Sequence, residues 1–504
     1  MSMTIRMDAV ATYALSTPGR QAIVDLATDR AWTYAALHNA IDRLAAWLVG
    51  QFGPASGLRA AVLSHNCVEM VILQFACERA GLIFVPLNWR LAAAELDALT
   101  RDAEPAVLFH EADVAPPSCV PACLAIEALL TLGNAGARPP EGARRAFADT
   151  ATLLYTSGTS GKPKGVMLSQ ENIFWGCANF IYGNDLTMHS VSLCDMPLFH
   201  TAGLNAAARA PLQAGGCVLI ARGFDPEQTL ARLSDPALGV THYFSVPQMA
   251  TTLWNQPGFD PARLHGLVAW AIGGAPNPRA QSERFVNAGI RIADGFGMSE
   301  TGSNFGMPPH DLSVLLAKAG SCGLPFMTVE ARIVDAQGHD LSDGEIGELW
   351  LRGPCIASGY WKQPEATARA FRDGWFITGD TARRDEDGFC YIVDRKKDMY
   401  ISGGENVYPA EVEAVIAELS DVSECAIVGI PDARWGEVGR AYIIAVAGRT
   451  ITVEAVLAHC NARLARFKVP KSVVLTDAIP RTASGKVQKH LLKAQALAEL
   501  DQSA

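Results

Sequence analysis

No run of about twenty apolar residues, the length a bilayer-spanning helix requires, occurs in this 504-residue chain, and no membrane span is expected. The opening MSMTIRMDAVATYALSTPGR lacks the apolar core of a secretory signal, and the closing Asp501-Gln502-Ser503-Ala504 is not a peroxisomal address. Metal-type cysteine pairing is also missing: the 12 cysteines are scattered, with no Cys-x-x-Cys and no Cys/His group at zinc spacing, Cys119 and Cys123 coming nearest. Reduced thiols in a cytoplasmic protein are the simplest expectation. Nor is there an excess of positive charge. With 42 Lys+Arg against 52 Asp+Glu the formal charge is −10, which gives no support for nucleic-acid binding, so any anion site must be local.

The apolar fraction of 49% with 19% charged residues is that of a folded protein, and the length calls for more than one domain. Helical and strand patterns alternate over the first two thirds. Tyr34–Gln51, Glu69–Ala80, Ala202–Gln213, Pro226–Leu233 and Arg279–Ala288 read as helices. Leu58–Ser64, Leu82–Leu87, Ser192–Pro197, Cys217–Ile220, His242–Val246 and Ala269–Ile272 read as strands between them, a βα alternation that predicts doubly wound α/β sheets. Residues 112–148, rich in Ala, Pro and Gly, read as a surface connection. From about Val329 the pattern changes to short antiparallel strands at Val329–Val334, Gly347–Leu351, Phe376–Thr378 and Cys390–Val393, with Asp387-Gly388 as a hairpin turn. After Asp394-Arg395-Lys396-Lys397-Asp398 a compact α+β pattern follows. The expected division is residues 1–394 as a large amino-terminal domain, 395–397 as a hinge and 398–504 as a small carboxy-terminal domain.

The densest chemistry lies at Thr156-Ser157-Gly158-Thr159-Ser160-Gly161-Lys162-Pro163-Lys164-Gly165, directly after the strand-like Thr152–Tyr155. Glycines let backbone N–H groups approach an anion closely, hydroxyls add donors and lysines add charge, so the loop suits phosphate. It is not a Walker A loop, which needs four residues between its glycines; here two separate Gly158 from Gly161, and Pro163 follows Lys162. Val166-Met167-Leu168 is expected to return as a strand, with Ser169 capping a helix through Phe180.

Further motifs follow in order: Pro197-Leu198-Phe199-His200-Thr201-Ala202-Gly203, Gly273-Gly274-Ala275-Pro276, Asp294-Gly295-Phe296-Gly297-Met298-Ser299-Glu300-Thr301-Gly302, Thr378-Gly379-Asp380, Asp394-Arg395-Lys396-Lys397-Asp398, Gly403-Gly404-Glu405-Asn406-Val407-Tyr408-Pro409 and Ser484-Gly485-Lys486. As a set they resemble the signature of the adenylate-forming superfamily, whose members include acyl- and aryl-CoA synthetases. The resemblance implies a two-step reaction: a carboxylic acid and ATP·Mg2+ give acyl-AMP and pyrophosphate, and coenzyme A then gives the thioester and AMP. Two anions must approach each other in the first step, which is why lysine, magnesium and backbone dipoles are needed.

The same resemblance implies the residue roles. Thr156 to Lys162 with Lys164 would hold the β- and γ-phosphates, Glu300 would be the magnesium carboxylate, and Ser299, where threonine is commoner, would lie near the α-phosphate. Gly274, Ala275, Pro276, Asp294, Gly295 and Phe296 would form the adenine site, and Asp380 and Arg395 the ribose ligands. Lys486 would bridge the carboxylate and the α-phosphate. Lys397 matches the hinge, about which the small domain would rotate to bring Gly403, Gly404 and Trp435 to coenzyme A. Val469 stands where some relatives carry arginine. The acyl pocket would be lined by His200, Ala202, Asn205, Phe244, Trp270, Gly273, Met298 and Phe305. This apolar set lacks a second cationic anchor and points to a hydroxycinnamate-like aryl acid or a medium- to long-chain fatty acid. Two rivals are a free-standing enzyme that loads a carrier protein and a non-catalytic nucleotide-binding regulator. The sequence leaves the oligomeric state open, a homodimer included.

Overall fold

The computed structural model describes residues 8–156, 163–275, 277–395, 398–402, 405–432, 434–482 and 486–503, with the backbone alone at Asp394, Arg395, Asn406, Asp501, Gln502 and Ser503. Two largely parallel sheets form the amino-terminal part. In the nine-stranded sheet, Gln21–Asp25, Cys217–Ile220, Val191–Cys194, His242–Ser245, Ala269–Ile272 and Ile292–Met298 are neighbours in that order and run parallel. Antiparallel strands extend both edges, Arg30–Thr33 on one side and Gly302–Gly306 with Leu324–Pro325 on the other. The six-stranded sheet orders Cys123–Ala125, Pro105–His110, Arg59–Leu63, Ile83–Leu87, Thr150–Thr156 and Lys164–Ser169, parallel except for the final pair. Its strands are continuous apolar runs because helices cover both faces. Helix Val68–Ala80 is the extreme case, buried at every position.

The remaining elements follow the expected change of pattern. Glu330–Val334, Gly347–Arg352, Trp375–Arg384, Phe371–Arg372 and Cys390–Arg395 form an antiparallel sheet, and the turn before Cys390 uses Gly388 at φ +88°. The small domain builds a sheet from Tyr400–Ser402, Glu405–Val407, Val422–Asp432, Gly436–Ala445 and Ser472–Leu475, packed by helices Pro409–Ile416, Val453–Arg463 and Lys489–Ser503. Among the described residues no helix is long and apolar enough to cross a membrane. All twelve cysteines are free, and most are buried.

Several local expectations are corrected. The single helix expected over Ala202–Gln213 is π-helical over Ala202–Arg209 and α-helical only at Ala210–Gln213; the Ala210 N–H reaches back five residues to Asn205 O. The surface connection at 112–148 contains strand Cys123–Ala125 and the 3-10 turn Ile126–Leu130, which buries Ile126 and Leu129 against the core. The strand expected at Phe376–Thr378 runs on to Arg384, so Thr378-Gly379-Asp380 lies within it, with Gly379 at φ +71°.

Candidate functional site

A cleft of about 2390 Å3 opens at the carboxyl ends of the parallel strands of the nine-stranded sheet, the usual ligand position in such a sheet. The volume exceeds that of a typical single-ligand pocket and leaves room for a nucleotide beside an acid. Three surfaces close it: the loops after Cys194, Ser245 and Ile272 with the end of Ile292–Met298; the edge formed by Thr156 and Lys164; and residues of the antiparallel sheet and the small domain, including Asp380 and Lys486.

The edge carrying Thr156 and Lys164 is fixed by local sequence. Thr156 and Lys164 are register partners at the open end of their hairpin. Below it, Ser169 caps helix Gln170–Gly183 through a capping box, its Oγ accepting from Asn172 N–H at 3.0 Å while Asn172 Oδ1 accepts from Ser169 N–H at 2.9 Å. The sequence did not single out Tyr360, which joins this edge to the Glu300 loop. Its hydroxyl donates to Glu300 Oε1 at 3.0 Å, and its ring lies 4.7 Å from Lys164 Nζ. The signal available was Gly359-Tyr360-Trp361, a glycine before paired aromatics.

Gly274, Ala275, Gly295 and Phe296 of the expected adenine site, and Ser299 of the expected α-phosphate site, line the cleft. Gly297 is required there, since a Cβ would stand 2.3 Å from Gly302 O. Asp294 also lines it, but its carboxylate already accepts from Ser282 Oγ at 2.7 Å and Asn277 Nδ2 at 2.8 Å. Burial pushes its pKa up to about 6 against those two donors. Asp380 is buried, and its N–H donates to Thr378 Oγ1 at 3.0 Å. Asp380 and Arg395 face each other in the ladder, so the two expected ribose ligands arise from adjacent strands.

Lys486 enters from the small domain, its segment held by Thr482 N–H donating to Lys486 O at 2.7 Å. His200 registers its approach: burial first, then the positive charges of Lys486 and Arg90, depress the imidazole pKa to about 4, so the ring is neutral near pH 7. Arg90 is a second cleft residue that the sequence reading missed; its guanidinium carbon lies 5.1 Å from the Trp89 ring centre and 5.8 Å from that of Phe199.

Of the expected acyl pocket, His200, Ala202, Asn205, Phe244, Gly273, Met298 and Phe305 line the cleft. Trp270 does not. It is fully buried on the opposite face of strand Ala269–Ile272, against Tyr243 and Phe285, with its indole N–H donating to Ser245 Oγ at 2.9 Å. Successive strand residues point to opposite faces, so Ala271 takes the cleft side. Phe244 meets Phe180 edge to face at 5.8 Å, and Phe305 meets Phe296 at 6.0 Å. Trp435 lies outside the cleft on a hairpin turn, between Arg434 and Lys471, whose charged ends are 5.3 and 5.9 Å from its ring centre. Val469 packs on the small-domain core. Ser157, Gly158, Thr159, Ser160, Gly161, Lys162, Pro276, Lys397, Gly403 and Gly404, together with the Arg395 side chain, lie outside the described residues.

Thr156, Glu300 and Lys486, from three separate parts of the chain, line this one cleft, and comparison with known proteins places the chain in the class of enzymes that activate a carboxylic acid as its adenylate. The family model described as AMP-binding enzyme matches residues 10–361, and that described as AMP-binding enzyme C-terminal domain matches 411–486; the chain belongs to this adenylate-forming family, in its acyl/aryl-CoA synthetase branch. It is 40% identical to a feruloyl-CoA synthase of an Amycolatopsis species over 464 residues, covering 91% of this chain and 93% of the relative. It is 37% identical to the indoleacetate–CoA ligase of Aromatoleum aromaticum, covering 94% of each. Among solved structures, ATP-bound MatB from Rhodopseudomonas palustris superposes with a TM-score of 0.88 at 31% identity, over 97% of this chain and 99% of that one.

Proposed function

We propose that this AMP-forming CoA ligase activates an aryl carboxylic acid of hydroxycinnamate type, with ATP and coenzyme A as the other substrates. The observation that carries the reading is the meeting of Lys486, Glu300 and Thr156 around one cleft that also carries the aromatic rings of Phe244 and Phe305. The edge-to-face pairs built on Phe244 and Phe305 suit a flat ring, which packs well against aromatic edges. The 40% identical feruloyl-CoA synthase supports the same class.

The donor set fits a hard divalent cation. Glu300 is a partly buried carboxylate with one oxygen already held by Tyr360, and Thr156 offers a hydroxyl to the same cleft. Bound there, magnesium supplies charge neutralisation on the triphosphate. The chain's own groups do the rest. Lys164, with the loop before it, receives the β- and γ-phosphates, Asp380 and Arg395 accept and donate at the ribose, and Phe296 offers a face to adenine. Lys486 Nζ offsets the charge where the acid oxygen attacks the α-phosphorus and pyrophosphate leaves. The neutral His200 ring faces the carboxylate without competing with Lys486 for it. In the second half-reaction the small domain turns about residues 395–397, withdrawing Lys486 and presenting Gly403, Gly404 and Trp435 to coenzyme A, whose thiolate displaces AMP from the acyl carbon.

The test is a panel of hydroxycinnamates, arylacetates and fatty acids of graded length, read as acid-dependent pyrophosphate release and as thioester formed with free coenzyme A. Preference for the hydroxycinnamates supports the proposal; preference for aliphatic acids overturns the aryl assignment, and absence of release with every acid overturns the ligase.

A further inference from the structure

The segment 357–361 is strapped to both phosphate-handling parts of the cleft. Ala357 N–H donates to Glu300 O at 2.7 Å, Met167 N–H donates to Gly359 O at 2.9 Å, and Trp361 N–H donates to Gly165 O at 2.7 Å. Val166 and Tyr360 form an antiparallel bridge between these bonds. Gly359 adopts φ +144°, where a Cβ would fall 2.4 Å from Thr367 Cγ2, and Tyr360 N–H donates to Thr367 Oγ1 at 2.9 Å. Four hydrogen bonds therefore fix the strap on either side of the tyrosine before its side chain does anything.

That side chain is 8% exposed and has two charged neighbours of opposite sign. Its hydroxyl donates to Glu300 Oε1, which holds the carboxylate in one orientation. Its ring offers a π face to the Lys164 ammonium 4.7 Å away, which holds that flexible chain over the strap. A shorter aliphatic residue would leave both charges without this tie.

We propose that Tyr360 is a positioning residue that couples the metal carboxylate to the phosphate-loop lysine, so that the cation and the terminal phosphates are received by one preset unit. The inference rests on the nucleotide part of the proposed function and needs no acid. Groups that orient a metal ligand typically contribute tenfold or more to metal affinity, so their loss is measurable.

The test is calorimetric binding of α,β-methylene-ATP to the full-length protein without acid, once with magnesium and once with EDTA. Tyr360→Phe keeps the ring and the packing and removes only the hydroxyl. It is expected to cut the magnesium-dependent gain in affinity about tenfold while leaving the affinity in EDTA unchanged. Tyr360→Leu should lower the affinity in EDTA as well, because Lys164 loses its seat. Full retention of the magnesium gain by Tyr360→Phe, or equal weakening with and without the metal, overturns the proposal. If the wild-type chain binds the analogue under neither condition, the nucleotide reading itself fails and the proposal goes with it.

Discussion

The proposed nucleotide wall and the proposed acyl wall of the cleft are held by different forces, and the difference decides what a substitution in each does. On the nucleotide wall the functional groups are tied individually: Glu300 and Lys164 to Tyr360, Asp294 to Asn277 and Ser282, the Asp380 backbone to Thr378. The acyl wall has few such ties. Phe244, Ala271, Met298 and Phe305 are placed by strand alternation and by ring-to-ring packing. Polar ties fix direction and charge, so a change there should alter rate; packing fixes shape, so a change there should alter choice of acid or stability.

The sharpest break in this contrast is expected at Lys486→Ala. Acid-dependent pyrophosphate release should fall about 10²- to 10³-fold, while thioester formation from supplied acyl-AMP survives. Equal loss of both steps would refute the separate role of the lysine. Next in size, Trp270→Phe should lower stability by about 2 kcal/mol in chemical denaturation, because the buried Ser245 hydroxyl loses its donor and the site loses volume, with the ranking of acids unchanged. A shifted ranking would return Trp270 to the acyl wall. Smaller again, Ala202→Leu should reduce kcat/KM for a hydroxycinnamate about tenfold and leave KM for ATP unaltered, since it narrows only the apolar wall.

A further effect concerns pH. His200 has a folded pKa of about 4 against an ordinary 6.5, so between those values the unfolded chain binds the extra proton and stability falls as pH falls. The fall in melting temperature between pH 7 and pH 5 should therefore be smaller in His200→Gln than in the parent; an unchanged difference would place the imidazole in a freely titrating setting.

Much of the nucleotide wall was legible because its chemistry is local in sequence. Glu300 in its glycine-rich turn and Ser169 as a helix cap each announce themselves within a few residues, whereas most of the glycine and hydroxyl loop lies outside the described residues. Tyr360 was missed because its two partners are some 60 and 196 positions away, and aromatic residues after glycine are ordinary in any core. The acyl wall was less readable. Trp270 and Ala271 are adjacent and both apolar, and only the sheet shows which faces the cleft. The π-helical winding at Ala202–Arg209 repeats neither the helical nor the strand period, so an apolar pattern read at 3.6 residues per turn yields an ordinary helix. The short strand at Cys123–Ala125 was hidden by the prolines and glycines around it.

Strand Ala269–Ile272 also separates two evolutionary burdens. Its Trp270 face is closed by aromatic packing and tolerates little, whereas its Ala271 face offers a small side chain to the ligand space. Lengthening position 271 by one carbon at a time would shorten that space stepwise without disturbing the other face. A lineage could thus move from long acids to short ones through single substitutions on this face, each weighed against the packing of a buried position.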